Sequence, residues 1–370
     1  MRALVIGGTG PTGPHIVDGL LARGHDVTIF HRGTHEPANL AQEDVEHIHA
    51  DPHFRESIDE ALAARAFDIV LAMYGRIRHL APALENRCDR FIAIGGVPVY
   101  RGYFPRPGAP ELPIPVTETH PVVREAGDDP ALQFSRRLTE AEDRTFEAHP
   151  QATILRFPMI YGPGNARPHE WSVVRRLRDR RPRMIVPDGG HQIHTRCAAR
   201  NAAAFVLAAV DHPRAAAGQV YNCGDPFLWS LRQWIELIAA HHHADLELVP
   251  IPSDIAVEAA TTLLPLANTT AAHCILSTAK AERQLAYRPV IEPHQALEEV
   301  LDWYDANPDP DPAASPSLTD RFDYASEDAL IARYRRAAGP IRDAVGQRAA
   351  QPVHSMPHPK AAGTLDHRGR

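Results

Sequence analysis

The chain is predicted to be an α/β protein, a doubly wound parallel sheet with a smaller mixed C-terminal lobe. Three observations predict this. Short apolar runs recur through the first 157 residues, separated by stretches of helical spacing. A glycine-rich turn directly follows the first run, and the alternation loosens beyond Pro158. Repeated strand–helix–strand units imply parallel pairing through right-handed crossovers.

Ala3–Ile6 is a short, continuous apolar run of the kind buried on both faces. Ile16 to Leu21 repeat at helical spacing, and Gly24 closes that helix as a left-handed cap. Further strands are predicted at Asp26–His31, Val45–His49, Phe67–Met73, Phe91–Ile94 and Thr153–Phe157. A long helix through the Arg136 to Glu147 region precedes the last of them. Beyond Pro158, helices are predicted over Trp171–Arg178, Ala198–Val210, Leu231–His241, Thr278–Leu285 and Pro293–Asp305. Asn307 to Ser317, rich in Pro and Asp, reads as a linker to a last helix at Ser326–Val345. The expected organisation is a nucleotide-binding domain over 1–157 and a lobe over 158–306 partly interleaved with it. A linker and helix over 307–345 and a mobile tail over 346–370 complete it.

Composition excludes several function classes. A net charge of −7 and a pI near 6.3 give no reason to expect nucleic acid. No apolar run approaches the ~20 residues of a membrane helix, so no membrane partner is expected. Met1 to Ile6 lead straight into the glycine turn, without a signal peptide. Cys88, Cys197, Cys223 and Cys274 are scattered without a C-x-x-C pair, which argues against a disulfide framework and fits a reducing cytoplasm. His191 and His194 lack further ligands at metal spacing, and His241–His243 is expected from a chain holding 22 histidines; no metal is predicted.

Gly7-Gly8-Thr9-Gly10-Pro11-Thr12-Gly13 stands between the first strand and first helix, with glycines at Gly7, Gly10 and Gly13. One glycine permits the tight turn, one lets backbone amides approach a pyrophosphate, and one lets helix and strand pack closely. The helix N-terminus adds free amides and partial positive charge. A Rossmann-type dinucleotide site is therefore predicted, with Gly7, Thr9, Gly10, Pro11, Thr12 and Gly13 at the phosphates and Ala72 lining the cofactor. Where NAD enzymes place an acid for the ribose hydroxyl, this chain has Phe30-His31-Arg32-Gly33. Arg32 can pair with a 2′-phosphate, so NADP(H) is preferred over NAD(H). His31 is assigned to donate a hydrogen bond or stack on adenine, and Asp51 to accept from the adenine amino group.

The loop, Glu118-Thr-His-Pro121, Leu155-Arg-Phe-Pro-Met-Ile-Tyr161-Gly-Pro163 and Gly218-Gln-Val-Tyr221-Asn222-Cys-Gly224 together resemble the extended short-chain dehydrogenase/reductase superfamily. The nearest flavour is the NAD-dependent epimerase/dehydratase family, and the resemblance runs from Met1 to about Asn307. It implies a smaller lobe closing over a small-molecule substrate, and in relatives often a homodimer. It also implies a Ser or Thr after the fifth strand and a Tyr-x-x-x-Lys on the next helix. Register from Tyr100 and Glu142 puts Gly96, Phe134 and Leu138 at those three positions, and no Tyr-x-x-x-Lys occurs anywhere in the chain.

Catalysis then needs another proton donor. Tyr103, after the fifth strand, is the first candidate and Tyr74, after the fourth, the second. Glu118, Tyr161 and Arg196 are candidate substrate contacts. The arginines from Arg175 to Arg183 read either as an anion site or as a solvated helix face. The expected function is an atypical NADP(H)-dependent oxidoreductase or epimerase/dehydratase-like enzyme acting on a small oxygenated, anionic metabolite. The alternatives are a non-redox dinucleotide-binding sensor or pseudoenzyme, and an isomerase or lyase using the same cleft.

Overall fold

The structure, a computed structural model, describes residues 1–33, 45–63, 65–73, 76–104, 112–165, 169–256, 272–307, 322–345, 361–365 and 369. The elements are β1 (Arg2–Ile6), α1 (Gly13–Ala22), β2 (Asp26–His31), β3 (Glu46–His49), α2 (Arg55–Leu62), β4 (Phe67–Ala72), α3 (Ile77–Ala83) and β5 (Cys88–Gly96). They continue with α4 (Pro130–Ala148), β6 (Thr153–Phe157), β7 (Met159–Tyr161), α5 (Trp171–Arg178), β8 (Arg183–Pro187) and β9 (Arg196–Ala198). The rest are α6 (Ala199–Asp211), α7 (Pro213–Ala216), β10 (Gln219–Asn222), α8 (Leu231–His241), β11 (Glu247–Ile251), α9 (Ser253–Ala256), α10 (Ala279–Gln284), α11 (Pro293–Ala306) and α12 (Tyr324–Val345). Met1–Glu327 form one compact unit and Asp328–Arg370 a second.

The central sheet has seven strands in the order β10-β6-β5-β4-β1-β2-β3, all parallel. The order reverses beside β1, which opens a crevice at the carboxyl ends of β1 and β4, where doubly wound sheets hold their ligands. Ala3 and Val5 face one layer, in which Ile16, Val17 and Leu20 of α1 and Phe205 and Val206 of α6 are buried. Leu4 and Ile6 face the other, against Ile58 and Leu62 of α2 and Leu80 and Ala81 of α3. Both faces of β1 are covered, which is why it reads as an unbroken apolar run. Each of the Val, Leu, Ile and Phe side chains among these residues contributes about 1.5–3 kcal/mol by leaving water.

All six strands expected from the sequence are present, and the alternation correctly implied a parallel sheet. The long helix begins earlier than its apolar spacing suggested, because Asp129 caps it by accepting from Ala131 N at 2.9 Å and Leu132 N at 3.1 Å. Two-stranded parallel sheets, β8 with β11 and β7 with β9, organise the later residues. The predicted linker beyond Asn307 and most of the predicted tail lie outside the described residues.

Candidate dinucleotide and substrate site

The glycine turn sits at the carboxyl end of β1. Gly7 and Gly8 take φ of 94° and 76°, a region side chains disfavour. Gly13 is needed for a different reason: a Cβ there would lie 1.6 Å from the Gly8 carbonyl oxygen. A Cβ on Gly10 would meet nothing within 4 Å. Thr12, the N-cap of α1, makes no side-chain capping bond, and no acid occupies the first turn. Close packing behind the loop, open space over Gly10 and a helix start uncapped by a side chain fit a pyrophosphate. Thr9, Gly10 and Pro11 also border a cavity of about 430 Å³, whose far wall includes Tyr161, Arg200 and Trp303. None of its lining comes from the ends of β2, β4 or β5, so the cavity flanks the crevice and does not coincide with it.

Ala72, the last residue of β4, pairs in register with Ile6 and Ala93 and is fully buried at the crevice floor. At the end of β2, Arg32 is exposed and His31 is buried. The His31 ring lies within hydrogen-bonding distance of protein on both nitrogens: Nδ1 accepts from Gly33 N at 3.2 Å, and Nε2 is 2.9 Å from His47 Nδ1. Asp51 accepts from His53 N at 2.9 Å, and its Oδ1 is 2.7 Å from His53 Nδ1. Partial burial pushes the Asp51 pKa up, but the two His53 groups and the Arg32 charge outweigh it and hold the carboxyl low. Arg32 and Asp51 thus face the same end of the sheet.

Beyond β5, a Cβ on Gly96 would lie 3.7 Å from Leu138 Cδ1. Behind that contact Glu142 Oε1 and Oε2 accept from Arg156 Nε and Nη2 at 2.8 and 2.6 Å, with both side chains buried. Burial works against the Arg156 charge; the Glu142 bonds more than offset it, and its pKa stands raised. The Arg156 guanidinium lies 4.7 Å from the Tyr100 ring centroid, and the Tyr100 hydroxyl donates to Asn222 Oδ1 at 2.6 Å. Burial pushes the Tyr100 phenol up to about 12, which suits a structural strut and not a proton donor. Tyr103 stacks edge-on with Phe104 at 5.0 Å, and Phe104 with Phe134 at 6.4 Å. Tyr103 is therefore brought to the neighbourhood of Phe134, whereas Tyr74 lies outside the described residues. Glu118 accepts from Asn222 N at 2.9 Å, tying its loop to β10.

Two further sequence candidates occupy a buried polar layer under β7 and β9. The Tyr161 hydroxyl donates to Asp225 Oδ2 at 2.8 Å, and burial drives its pKa far upward. Asp225 also accepts from Asn201 Nδ2 at 2.8 Å. Arg196 is buried with its guanidinium 4.6 Å from the Trp234 centroid, and burial lowers its pKa to about 10 against the pull of Glu170 and Tyr161. Glu170 is itself buried, which raises it to about 7. Of the arginine run, Arg176 is buried in an ion pair with Glu327 and Arg175 pairs with Asp179 at 2.8 Å, so these two are structural. Asp225, Asn222 and Glu170 escaped sequence reasoning because single polar residues carry no local pattern.

Residues 3–94 match the model of the NAD dependent epimerase/dehydratase family. The resemblance read from the sequence holds. A 3-diazoavenalumate denitrifying reductase from a Streptomyces species is 24% identical over 226 residues, 57% of this chain and 72% of that protein. Among solved structures, the dTDP-glucose 4,6-dehydratase of Streptomyces venezuelae bound to NAD and TYD is 18% identical with a TM-score of 0.63, covering 83% of this chain and 98% of that one. The UDP-glucuronic acid 4-epimerase of Bacillus cereus, complexed with UDP-glucuronic acid and NAD, is 16% identical with a TM-score of 0.64, covering 83% and 100%. Those likenesses establish the fold. No helix among the described residues is long and apolar enough to cross a membrane.

Proposed function

We propose that this chain is an NADPH-dependent reductase that passes hydride to a small, oxygenated, anionic acceptor without drawing a proton from a Tyr-x-x-x-Lys pair. The observation that carries the reading is a pairing of opposites. The phosphate loop keeps every glycine its geometry needs, while Gly96 and Leu138, close enough that a Cβ on Gly96 would lie 3.7 Å from Leu138 Cδ1, stand where the resemblance expects a hydroxyl and an ammonium. When bound, the nicotinamide supplies the hydride; the chain must bind, orient and exclude water.

Arg32 supports the choice of NADPH, since a guanidinium can hold a 2′-phosphate through two charge-assisted bonds. Residues 158–306, apart from those such as β10 and α6 that join the central sheet and its core, supply the substrate-facing lobe. Loss of a general acid costs ~10²–10⁴ in rate when the acceptor is a carbonyl. An acceptor whose reacting group is positively charged, its carboxylate lying elsewhere, escapes that cost, and the Streptomyces relative is named for a diazo substrate. For a diazonium-type acceptor, the incoming electron pair forms a C–H bond and the C–N pair leaves with dinitrogen. Charge balances without a proton. For a carbonyl acceptor, Tyr103 is the donor we favour, through its stacking chain to Phe134.

The test is NADPH oxidation by purified protein with aryl diazonium carboxylates and with matched aldehydes. Turnover of the diazonium compounds above their non-enzymatic rate, with aldehydes at least tenfold slower, is expected. Equal or faster aldehyde turnover would overturn the acid-free reading. Tight NADPH binding with no turnover of either class would favour a non-redox dinucleotide-binding protein.

A further inference from the structure

The parallel register of β2 and β3 pairs His31 with His49, and His47 stands two residues earlier on β3. Register partners share a face of a pleated sheet, and so do residues i and i+2. Three imidazoles therefore project from one face at the sheet's edge. One ligand-capable atom from each lies within 4.8 Å of the other two. The His31 and His49 rings meet edge-on at 4.8 Å, and His31 and His47 at 5.2 Å. Because Gly33 N–H donates to His31 Nδ1, the His31 proton resides on Nε2, directed at His47 Nδ1 2.9 Å away.

We propose that His31, His47 and His49 form a binding site for a borderline divalent transition-metal ion, Zn²⁺ foremost. Imidazole nitrogen suits zinc, copper and nickel, whereas magnesium and calcium demand oxygen. Tetrahedral zinc bonds nitrogen at about 2.0–2.1 Å, which sets its donors about 3.4 Å apart. The widest separation must therefore close by no more than about 1.4 Å, and the His31–His47 pair must open slightly. Both are side-chain rotations, and the burial gradient allows them. His31 is buried and fixes the inner ligand, His47 is half-buried, and His49 is exposed and gives the ion its entry from solvent. Loading moves the His31 proton from Nε2 to Nδ1 and ends the bond from Gly33 N–H. The ion exchanges bound waters for three nitrogens, its oxidation state is unchanged, and one coordination position remains for water.

His31 neighbours Arg32 of the proposed cofactor site, so the zinc site is tested on protein without cofactor. Full-length protein, stripped with a chelator and dialysed, is titrated with ZnCl₂ by calorimetry, with Co²⁺ absorption reporting tetrahedral coordination. One equivalent is expected to bind at micromolar Kd or tighter. H47Q and H49Q should each weaken binding by more than the roughly 10–100-fold that loss of a hydrogen-bond partner behind a metal ligand costs. Their circular dichroism should match the parent, since neither residue is buried. The control is the triple variant H241Q/H242Q/H243Q, a run of three consecutive histidines whose His241 Nε2 lies 3.6 Å from Asp302. It should bind zinc unchanged. Loss of binding in the triple variant alone, unchanged affinity in folded H47Q and H49Q, or no binding to the parent would each overturn the site.

Discussion

Gly10 and Gly13 look alike in the motif but do different work, and substituting each separates a phosphate cradle from a structural turn. In Gly13→Ala the new Cβ would lie 1.6 Å from a backbone oxygen that cannot swing aside. The loop or the helix must shift, and the cost should reach at least about 3 kcal/mol, the upper end of ordinary overpacking. In Gly10→Ala the Cβ meets nothing within 4 Å, and Gly10 is not among the positive-φ glycines. Folding stability should stay within about 1 kcal/mol of the parent, on the stabilising side, because alanine narrows the unfolded ensemble.

Binding should respond the other way. A methyl group over the loop holds the pyrophosphate off the backbone amides. Each hydrogen bond to a charged group is worth about 1.5–3 kcal/mol, so losing one weakens affinity roughly 10- to 100-fold. The assays are urea denaturation for stability and NADPH fluorescence titration for affinity. A Gly10→Ala protein that folds like the parent and binds NADPH equally well would refute the cradle. One that fails to fold would refute the open space above Gly10.

Arg32→Ala should weaken NADPH roughly 10- to 100-fold while leaving NADH within about twofold, measured by the same titration; equal losses for both would remove the 2′-phosphate role. Glu142→Gln leaves the buried Arg156 charge without its partner and should cost about 3–5 kcal/mol in urea denaturation. Glu170 and His194 predict a flat stability profile across mildly acidic pH. Burial raises Glu170 from 4.5 to about 7, so its contribution is complete below pH 4.5 and is lost as pH rises to 7. Burial, with Arg196, lowers His194 from 6.5 to about 4, so its contribution is complete above pH 6.5 and is lost as pH falls to 4. Thermal melts should show Glu170→Gln gaining stability as pH rises from 4 to 6.5, and His194→Gln losing it as pH rises from 4.5 to 7.

How far the sequence carried the argument depended on whether the deciding contacts are local. The loop, β1 and α1 lie within a stretch of 21 residues whose glycine spacing and apolar period are both visible directly. β5 and α4 gave enough landmarks, Tyr100 and Glu142, to set a register between them. Contacts made through the sheet left no such trace. Arg156 meets Glu142 from a neighbouring element, and Tyr161 meets Asp225 across 64 residues. The histidines show the same limit from the other side. Reading along the chain drew attention to His191, His194 and the run at His241–His243, because nearness in sequence looks like a ligand set. The cluster that forms uses His31 and His47, 16 residues apart, joined by the β2–β3 register.

The β5–α4 face brings together residues far apart in the chain as well. Gly96, Phe134 and Leu138 are not three independent departures. Leu138 packs against the Val97, Val99 and Tyr100 cluster that follows β5, and a Cβ on Gly96 would lie in ordinary contact with it at 3.7 Å. The Arg156–Glu142 pair, joining β6 to α4, balances one positive charge against one negative, so the buried charge next to β5 is already compensated. Leu138 is apolar and half-buried, and Phe134, 40% exposed one helical turn before it, continues the apolar surface toward Phe104 and Tyr103. Under the proposed function, such a wall would hold an aromatic acceptor beside the bound cofactor by stacking and desolvation. It also lets the chemistry of the acceptor, more than the chain, decide whether a proton is needed.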